Sequence, residues 1–141
     1  MVYADTSALV KRYLEEPFSA EFDSLLQQEA MTISRLAVVE LRCALARRRR
    51  HREIDALRES RINAELAADI QHGALRLGSF GDAEYTAAYH LIGRLADLPL
   101  RSQDALHLAT AEQYGAKGFA TADKTQADAA KALGFTVHRF F

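Results

Sequence analysis

The stretch VYADTS (residues 2–7) joins a short apolar run to the carboxylate of Asp5. Its apolar first half is typical of a short buried strand, and Asp5 follows this strand directly. A close echo, GFATAD (residues 118–123), lies near the other end of the sequence and runs into Asp123. Two strand-like segments that both lead to an aspartate predict one sheet with acidic side chains at the ends of its strands.

The composition is that of an ordinary globular domain. The chain has 141 residues, of which 49% are hydrophobic and 26% are charged, and we expect a single domain over residues 1–141. The net charge of -1 provides no overall attraction for nucleic acid or anionic membranes, so such a contact needs a local patch. Cys43 is the only cysteine, which excludes an internal disulfide and a cysteine-rich metal site.

The sequence contains no pattern typical of membrane insertion or secretion. No run approaches the roughly eighteen apolar residues of a spanning helix. The N-terminus lacks the basic region and the apolar core of a signal peptide. We therefore expect a cytoplasmic protein with no membrane partner.

Four short segments with β-branched or aromatic residues are typical of strands, and they alternate with helical patterns. The predicted strands are Val2–Ala4, Met31–Ile33, Gly118–Thr121 and Thr136–Arg139. The predicted helices are Ser7–Glu15, Ser19–Gln28, RLAVVELRCALARRRR after the N-cap Ser34, Arg52–Ile62, Ala64–Leu75, Asp82–Ala96, Ser102–Tyr114 and Thr125–Leu133. Strands separated by helices favour a parallel sheet covered on both faces. The predicted fold class is α/β, with three α/β/α layers around a short-stranded, mainly parallel central sheet.

Asp5 and Asp123 are predicted to lie at the ligand-binding edge of this sheet. Ligands of parallel α/β sheets bind beyond the carboxyl ends of the strands, which is where both residues stand. Each aspartate also has an alternative role as a turn or N-cap residue at the start of the next helix. Their predicted placement on one edge of one sheet favours a shared function.

Glu40 and Asp104 are two further acidic candidates. Glu40 lies in mid-helix with apolar residues three and four positions away, so we expect its carboxylate to be buried or half-buried. An ion pair with an arginine, or a position at the helix edge, is the alternative explanation. Asp104 stands in the first turn of a largely apolar helix, where an acid also complements the helix dipole.

Four carboxylates that converge would repel one another and raise each other's pKa. A bound hard divalent cation reduces this repulsion. Mg²⁺ and Mn²⁺ prefer oxygen ligands, and such a site activates water and stabilises charge on a phosphodiester. The candidate catalytic and metal-binding residues are Asp5, Glu40, Asp104 and Asp123. The hydroxyl residues expected to orient these carboxylates or water molecules are Thr6, Ser7 and Thr121.

With these motifs the chain resembles the PIN-domain ribonucleases, and in particular the VapC-type toxins of type II toxin–antitoxin systems. The resemblance covers essentially the whole chain. It rests on ADTSALVKRYLEEP (residues 4–17), SRLAVVELRCAL (34–45), SQDALHLATA (102–111) and ATADKTQADAAKALGF (120–135), each of which carries one candidate acid. No single motif is specific, whereas all four in this order are.

The resemblance implies a PIN-like fold and a Mg²⁺- or Mn²⁺-dependent endoribonuclease that hydrolyses RNA with metal-activated water. By the same analogy, Asp5 and Asp104 would be the principal metal ligands. Asp123 and Glu40 would complete the cluster directly or through water. The resemblance also implies a VapB-type antitoxin partner, whose tail occupies the active-site groove, and a toxin homodimer.

Two other functions stay open from the residues alone. A phosphatase of the haloacid dehalogenase type also begins with an aspartate after its first strand. That class needs a second aspartate two residues later, and this chain has Ser7 there. The other alternative is a non-catalytic PIN-fold binding module, against which the presence of all four acids argues.

Two features outside the acidic motifs have candidate roles. The run ARRRRHR (residues 46–52) places Arg47, Arg48, Arg49 and Arg50 at the end of a predicted helix, where they can contact RNA phosphates or an antitoxin. The alternative is a solvated helix end, where arginines lie near the negative end of the dipole and pair with Glu53 or Asp55 downstream. His107 lies about one helical turn beyond Asp104, and we predict a buried, hydrogen-bonded histidine rather than a proton shuttle.

Overall fold

The computed structural model describes residues 1–141 and contains one sheet of five parallel strands. The strands are β1 (Val2–Ala4), β2 (Met31–Ile33), β3 (Leu75–Leu77), β4 (Gly118–Thr121) and β5 (Thr136–Arg139). They lie in the order β3-β2-β1-β4-β5. In register, Tyr3 pairs with Thr32 of β2 on one side and with Phe119 of β4 on the other. The predicted short-stranded parallel sheet is confirmed.

Seven helices surround the sheet. They are α1 (Thr6–Tyr13), α2 (Ser19–Gln28), α3 (Arg35–Arg50), α4 (Ala56–Gln71), α5 (Asp82–Arg94), α6 (Ser102–Gln113) and α7 (Lys124–Ala132). The side chains of β1 alternate between the two faces of the sheet, as a strand requires. Val2 and Ala4 pack into the core beneath α1 to α4, and Tyr3 packs into the core beneath α5 to α7. The predicted three-layer α/β/α arrangement is confirmed.

The sheet order places a crevice at the centre of the carboxyl edge. β1 is the central strand, and its neighbours β2 and β4 are reached by connections that leave in opposite directions. This reversal is the topological switch point at which open α/β sheets bind their ligands. Asp5 follows β1 directly, and Asp123 follows β4 after one intervening residue. The fold therefore brings the two ends of the chain, and their aspartates, to the same place.

The predicted helices Arg52–Ile62 and Ala64–Leu75 are wrong. A single helix, α4, begins after the N-cap Asp55 and runs to Gln71. Asn63 lies within it, and its side-chain amide donates to the Glu59 carbonyl at 3.0 Å, so it does not interrupt the helix. Gly73, at a φ of 81°, then turns the chain as only glycine does readily. Leu75 consequently begins β3, the one strand that the prediction lacked.

The bounds of the other predicted helices differ from the structure by at most two residues. α2 and α3 agree at both ends, and Ser34 caps α3 by accepting a hydrogen bond from the Ala37 amide. None of the helices combines the length and the apolar composition needed to cross a membrane.

We expect Leu41→Ala to destabilise the protein by about 2–5 kcal/mol, because the substitution leaves a cavity in the core. Leu41 is fully buried on the inner face of α3, whereas Val39 on the same helix is 61% exposed. Val39→Ala is the matched control and should change the free energy of unfolding by less than about 1 kcal/mol. Urea unfolding checks both values, and equal losses would mean that α3 packs through a different face.

Candidate functional site

A cavity of about 380 Å³ opens at the switch point, and all four predicted acids line it. Each acid comes from a different part of the chain: the end of β1, the middle of α3, the start of α6 and the start of α7. The lining also includes Thr6, Ser7, His107, Gln126 and three arginines, and only two of its fourteen residues are hydrophobic. Thr121 lies directly behind the wall and contacts Asp5. The fold thus brings together every predicted acid and hydroxyl residue.

Asp5 is the most deeply buried of the acids, with 3% of its surface exposed. Its Oδ1 accepts hydrogen bonds from the Ser7 hydroxyl at 2.7 Å and the Ala8 amide at 3.0 Å. Its Oδ2 accepts one from the Thr121 hydroxyl at 2.5 Å. Burial raises the pKa of Asp5, and the charge of His107 and these hydrogen bonds offset only part of the rise.

The Ser7 and Thr121 hydroxyls also tie the ends of the two central strands together. Besides donating to Asp5, Ser7 Oγ accepts a hydrogen bond from the Ala122 amide at 2.8 Å. Thr121 Oγ1 accepts one from the Asp123 amide at 3.0 Å. The segment after β1 therefore holds the segment after β4 at the position where both aspartates face the cavity.

Asp104 and Asp123 lie at helix starts, and each also accepts a backbone hydrogen bond there, as the alternative roles for these residues require. Asp104 Oδ2 accepts from the Arg101 amide at 3.0 Å, and Asp123 Oδ1 accepts from the Gln126 amide at 2.7 Å. Asp5 caps α1 in the same manner. Three helix N-termini thus converge on the cavity, and their partial positive charge reduces the cost of gathering carboxylates there.

Glu40 is half-buried, as predicted, and its partner is a histidine rather than an arginine. Its Oε1 accepts hydrogen bonds from the Thr6 hydroxyl at 2.8 Å and from His107 Nε2 at 2.5 Å. Burial raises the pKa of Glu40, but the hydrogen bond and charge of His107, with the Thr6 hydroxyl, outweigh it, so the pKa lies below its usual value.

His107 is buried and hydrogen-bonded, which confirms the prediction for this residue. The prediction did not include its contact with Glu40 or its position on the cavity wall. The available signal was a polar residue in the apolar run of α6, on the same helix as Asp104. Its partners come from β1 and α3, so the contact depends on tertiary structure.

The acids share a cavity without forming a ready-made coordination sphere. No three His, Cys, Asp or Glu side chains converge closely enough to hold an ion in the structure as it stands. The donor set nevertheless fits a hard cation, because it consists of carboxylate oxygens. Asp104 Oδ1, Asp123 Oδ2 and Glu40 Oε2 accept no hydrogen bond from the protein. The buried Gln126 on the cavity wall also has an unpaired Oε1.

The four arginines of the basic run have different environments. Arg48 pairs with Glu16 at 2.5 Å and Glu53 at 3.3 Å, and Arg49 lies 3.6 Å from Glu59. These two arginines fit the alternative of a paired helix end. Arg47 forms no ion pair and lines the acidic cavity, and Arg50 is also unpaired and lines the adjoining surface. Arg47 is therefore the member of the run best placed to meet a phosphate.

An apolar groove runs between α3 and α4 beside the cavity. Its hydrophobic lining consists of Val38, Val39, Cys43, Leu66, Ala67 and Ile70. Cys43 is exposed rather than packed in the core. A shallow surface that includes Val39, Cys43, Glu40 and Arg47 connects this groove to the acidic cavity.

Comparisons with known proteins agree with this architecture. The sequence matches the PIN domain family over residues 2–132. VapC20 from Mycobacterium tuberculosis, described as a toxin that cleaves the sarcin-ricin loop, superposes with a TM-score of 0.70 at 19% identity, covering 96% of both chains. FitAcB from Neisseria gonorrhoeae has a TM-score of 0.68 at 21% identity, covering 100% of this chain and 97% of that one.

VapBC2 from Rickettsia felis, bound to a DNA fragment from its promoter, has a TM-score of 0.68 at 14% identity and full coverage of both chains. At these identities the likeness establishes the fold. A search of curated protein sequences found no match.

We expect Asp5→Asn to stabilise the metal-free protein at neutral pH. The folded-state pKa of Asp5 is raised above its unfolded value near 3.8, so the folded chain holds this proton more tightly. The stabilisation that the proton provides is fully present below the unfolded pKa and is lost as the pH rises through the folded pKa. The variant carries no charge at this position, so it should be more stable than the wild type at neutral pH.

Urea unfolding in EDTA, from about pH 4 to pH 7, measures this difference. The gain of the variant over the wild type should shrink as the pH falls. A variant that is less stable than the wild type at every pH would show that the ionised carboxylate is well stabilised by its hydrogen bonds.

Proposed function

This chain belongs to the PIN domain family, and on that premise we propose that it is a divalent-cation-dependent endoribonuclease acting as the toxin of a toxin–antitoxin pair. The observation that carries the proposal is the convergence of four carboxylates, from four separate elements, on one cavity at the switch point. The like charges in this cavity need a cation, and the hydrolysis of an RNA phosphodiester is chemistry that such a site performs.

Mg²⁺ or Mn²⁺ is the proposed cofactor, held by Asp5, Glu40, Asp104 and Asp123. The oxygens of Asp104, Asp123 and Glu40 that accept no hydrogen bond from the protein are available to the ion, and Asp5, whose oxygens accept three hydrogen bonds, can bind it directly or through water. Mg²⁺ usually keeps several of its waters, so carboxylates that do not yet converge can bind it through water. When bound, the ion would activate water and stabilise charge on the phosphate.

The protein's own groups supply position and charge. Ser7 and Thr121 hold Asp5 in place, and Thr6 holds Glu40. Arg47 on the cavity wall provides a positive charge for a phosphate of the RNA backbone. The Arg101 guanidinium, 3.8 Å from Asp104, also lines the cavity. A phosphodiester can therefore contact cationic side chains in the cavity that holds the acids.

The haloacid dehalogenase alternative loses its support at Ser7. This residue, which stands where the second aspartate would be required, is engaged with Asp5 Oδ1 and the Ala122 amide. It is thus part of the scaffold of the site rather than a general acid. A non-catalytic PIN-fold module is the remaining alternative, and an activity assay decides it.

We infer an antitoxin partner, which would bind in the apolar groove between α3 and α4. VapBC2, whose name joins VapB and VapC components, supports a partner of this kind by its structural likeness. The groove leads over Cys43 and Val39 to Glu40 and the cavity, so a bound segment could extend into the site. Exposed apolar lining of this type is common at protein interfaces.

A homodimer is the second proposed assembly. Tyr85, Tyr89 and Ile92 project from α5, and Tyr89 is 76% exposed. This surface lies on the side of the sheet opposite to the α3–α4 groove. A second copy could therefore bind α5 without competing with the antitoxin. The expected cytoplasmic location stays a prediction.

We expect Asp104→Asn and Asp123→Asn to lower RNA cleavage by roughly a hundredfold or more, because each removes a charged donor from the cation site. Asparagine still accepts the capping hydrogen bond, so the free energy of unfolding should change by less than about 1 kcal/mol. Asp128→Asn is the matched control, since Asp128 is exposed on α7 and should retain full activity.

The assay uses antitoxin-free protein with labelled single-stranded RNA and, separately, a phosphate monoester, each with Mg²⁺ and with EDTA. Cleavage of RNA that requires Mg²⁺ and is lost in the two variants supports the proposal. Monoester turnover without RNA cleavage would favour a phosphatase, and inactivity on both would favour the non-catalytic module.

We expect Arg47→Ala to weaken RNA binding. The variant loses one phosphate contact, so the slope of log affinity against log salt concentration should become shallower by roughly 0.7 for a single strand. Arg49→Ala is the matched control, because Arg49 lies near Glu59 and does not line the cavity. Fluorescence anisotropy of labelled RNA at several salt concentrations measures both slopes. A larger effect at Arg49 would place the RNA on the outer side of α3.

A further inference from the structure

A chain of buried hydrogen bonds leads from the core of the protein to Glu40. The Tyr3 hydroxyl, on a fully buried side chain of β1, lies 2.9 Å from Ser34 Oγ and 2.7 Å from His107 Nδ1. The other ring nitrogen, Nε2, lies 2.5 Å from Glu40 Oε1. Ser34, Tyr3 and His107 are each at most 3% exposed. Apart from Glu40, none of these groups has a part in the cation site proposed above.

Both ends of this series of hydrogen bonds lie on α3 or its N-cap. Ser34 caps the helix through the Ala37 amide, and Glu40 lies further along the same helix. Tyr3 in β1 and His107 in α6 connect the two points from outside the helix. The hydrogen bonds therefore fix the carboxylate of Glu40 relative to the central strand, not only relative to its own helix.

The contacts also determine which oxygen of Glu40 is available. Oε1 accepts from both His107 and Thr6, whose hydroxyl is 2.8 Å away. Oε2 is the oxygen without a protein donor, on a residue that lines the cavity. A glutamate in the middle of a helix has three rotatable side-chain bonds, and two donors on one oxygen select a single orientation among them.

We propose that His107 is a positioning residue that holds Glu40 Oε2 toward a divalent cation, with Tyr3 fixing the imidazole from behind. The inference rests on the proposed function, because it assigns Glu40 to the cation site. Hydrogen-bonded partners of this kind orient metal-binding carboxylates and are worth about 10–100-fold in metal affinity or activity. Thr6 is the second support of the same oxygen.

The test compares His107→Leu, which removes the donor, with His107→Gln, whose side-chain amide can still donate to Glu40. Titration calorimetry with Mn²⁺ alone gives the affinity of each protein, and RNA cleavage gives kcat and KM. We expect His107→Leu to lose about 10–100-fold in Mn²⁺ affinity and to lose kcat with little change in KM for RNA. His107→Gln should recover most of both losses.

The outcomes distinguish the positioning role from the proposed function. If His107 only packs the core, both variants lose thermal stability and bind Mn²⁺ like the wild type, which overturns the inference and leaves the proposed function intact. A wild type that binds no Mn²⁺ and cleaves no RNA overturns both. If His107→Leu does not fold, two other variants serve. Tyr3→Phe removes the hydroxyl that contacts His107 and Ser34, and Thr6→Val removes the hydroxyl that donates to Glu40, both with little change of volume. Unchanged Mn²⁺ affinity in both would equally refute the positioning role.

Discussion

The structure depends on the burial of one carboxylate at the end of its central strand. Asp5 is almost inaccessible to water, and a buried carboxylate is tolerated only when hydrogen bonds or an opposite charge compensate for the lost hydration. The chain provides hydroxyl donors from Ser7 and Thr121 and an amide from α1. These donors come from both sides of the switch point, so satisfying Asp5 also aligns the ends of β1 and β4. The remaining rise in the pKa of Asp5 shows that the compensation is incomplete.

The other three acids of the cavity also have carboxylates that need hydrogen-bond donors, and the donors differ from one acid to the next. Asp104 and Asp123 sit at helix N-termini, where backbone amides offset their charge. Glu40 lies in the middle of α3 and accepts hydrogen bonds from Thr6 and His107. Each of these three side chains keeps one oxygen that accepts no hydrogen bond from the protein. The proposed divalent cation would bind these oxygens.

Local sequence patterns predicted most of the fold and all of the acidic lining of the cavity. β1 and β4 were recognisable because short apolar runs end on aspartates, and parallel strands bring those ends together. The prediction lacks β3 because this strand has only three residues and begins four positions after the last residue of α4, with Gly73 as the mark of the boundary. The contact between His107 and Glu40, and that between Arg48 and Glu16, join residues far apart in sequence. The periodicity of the sequence does not predict such contacts. The structure was needed to show that Arg47 is unpaired, whereas Arg48 and Arg49 form ion pairs.

We propose that the four carboxylates surround a divalent cation at the switch point. Anomalous diffraction from crystals soaked in Mn²⁺ tests it most directly, because the metal position is then measured without reference to activity. We expect an anomalous peak inside the cavity, contacting Asp5, Asp104 Oδ1, Asp123 Oδ2 and Glu40 Oε2 directly or through water. A peak only elsewhere on the surface, or none at Mn²⁺ concentrations that support RNA cleavage, would contradict it.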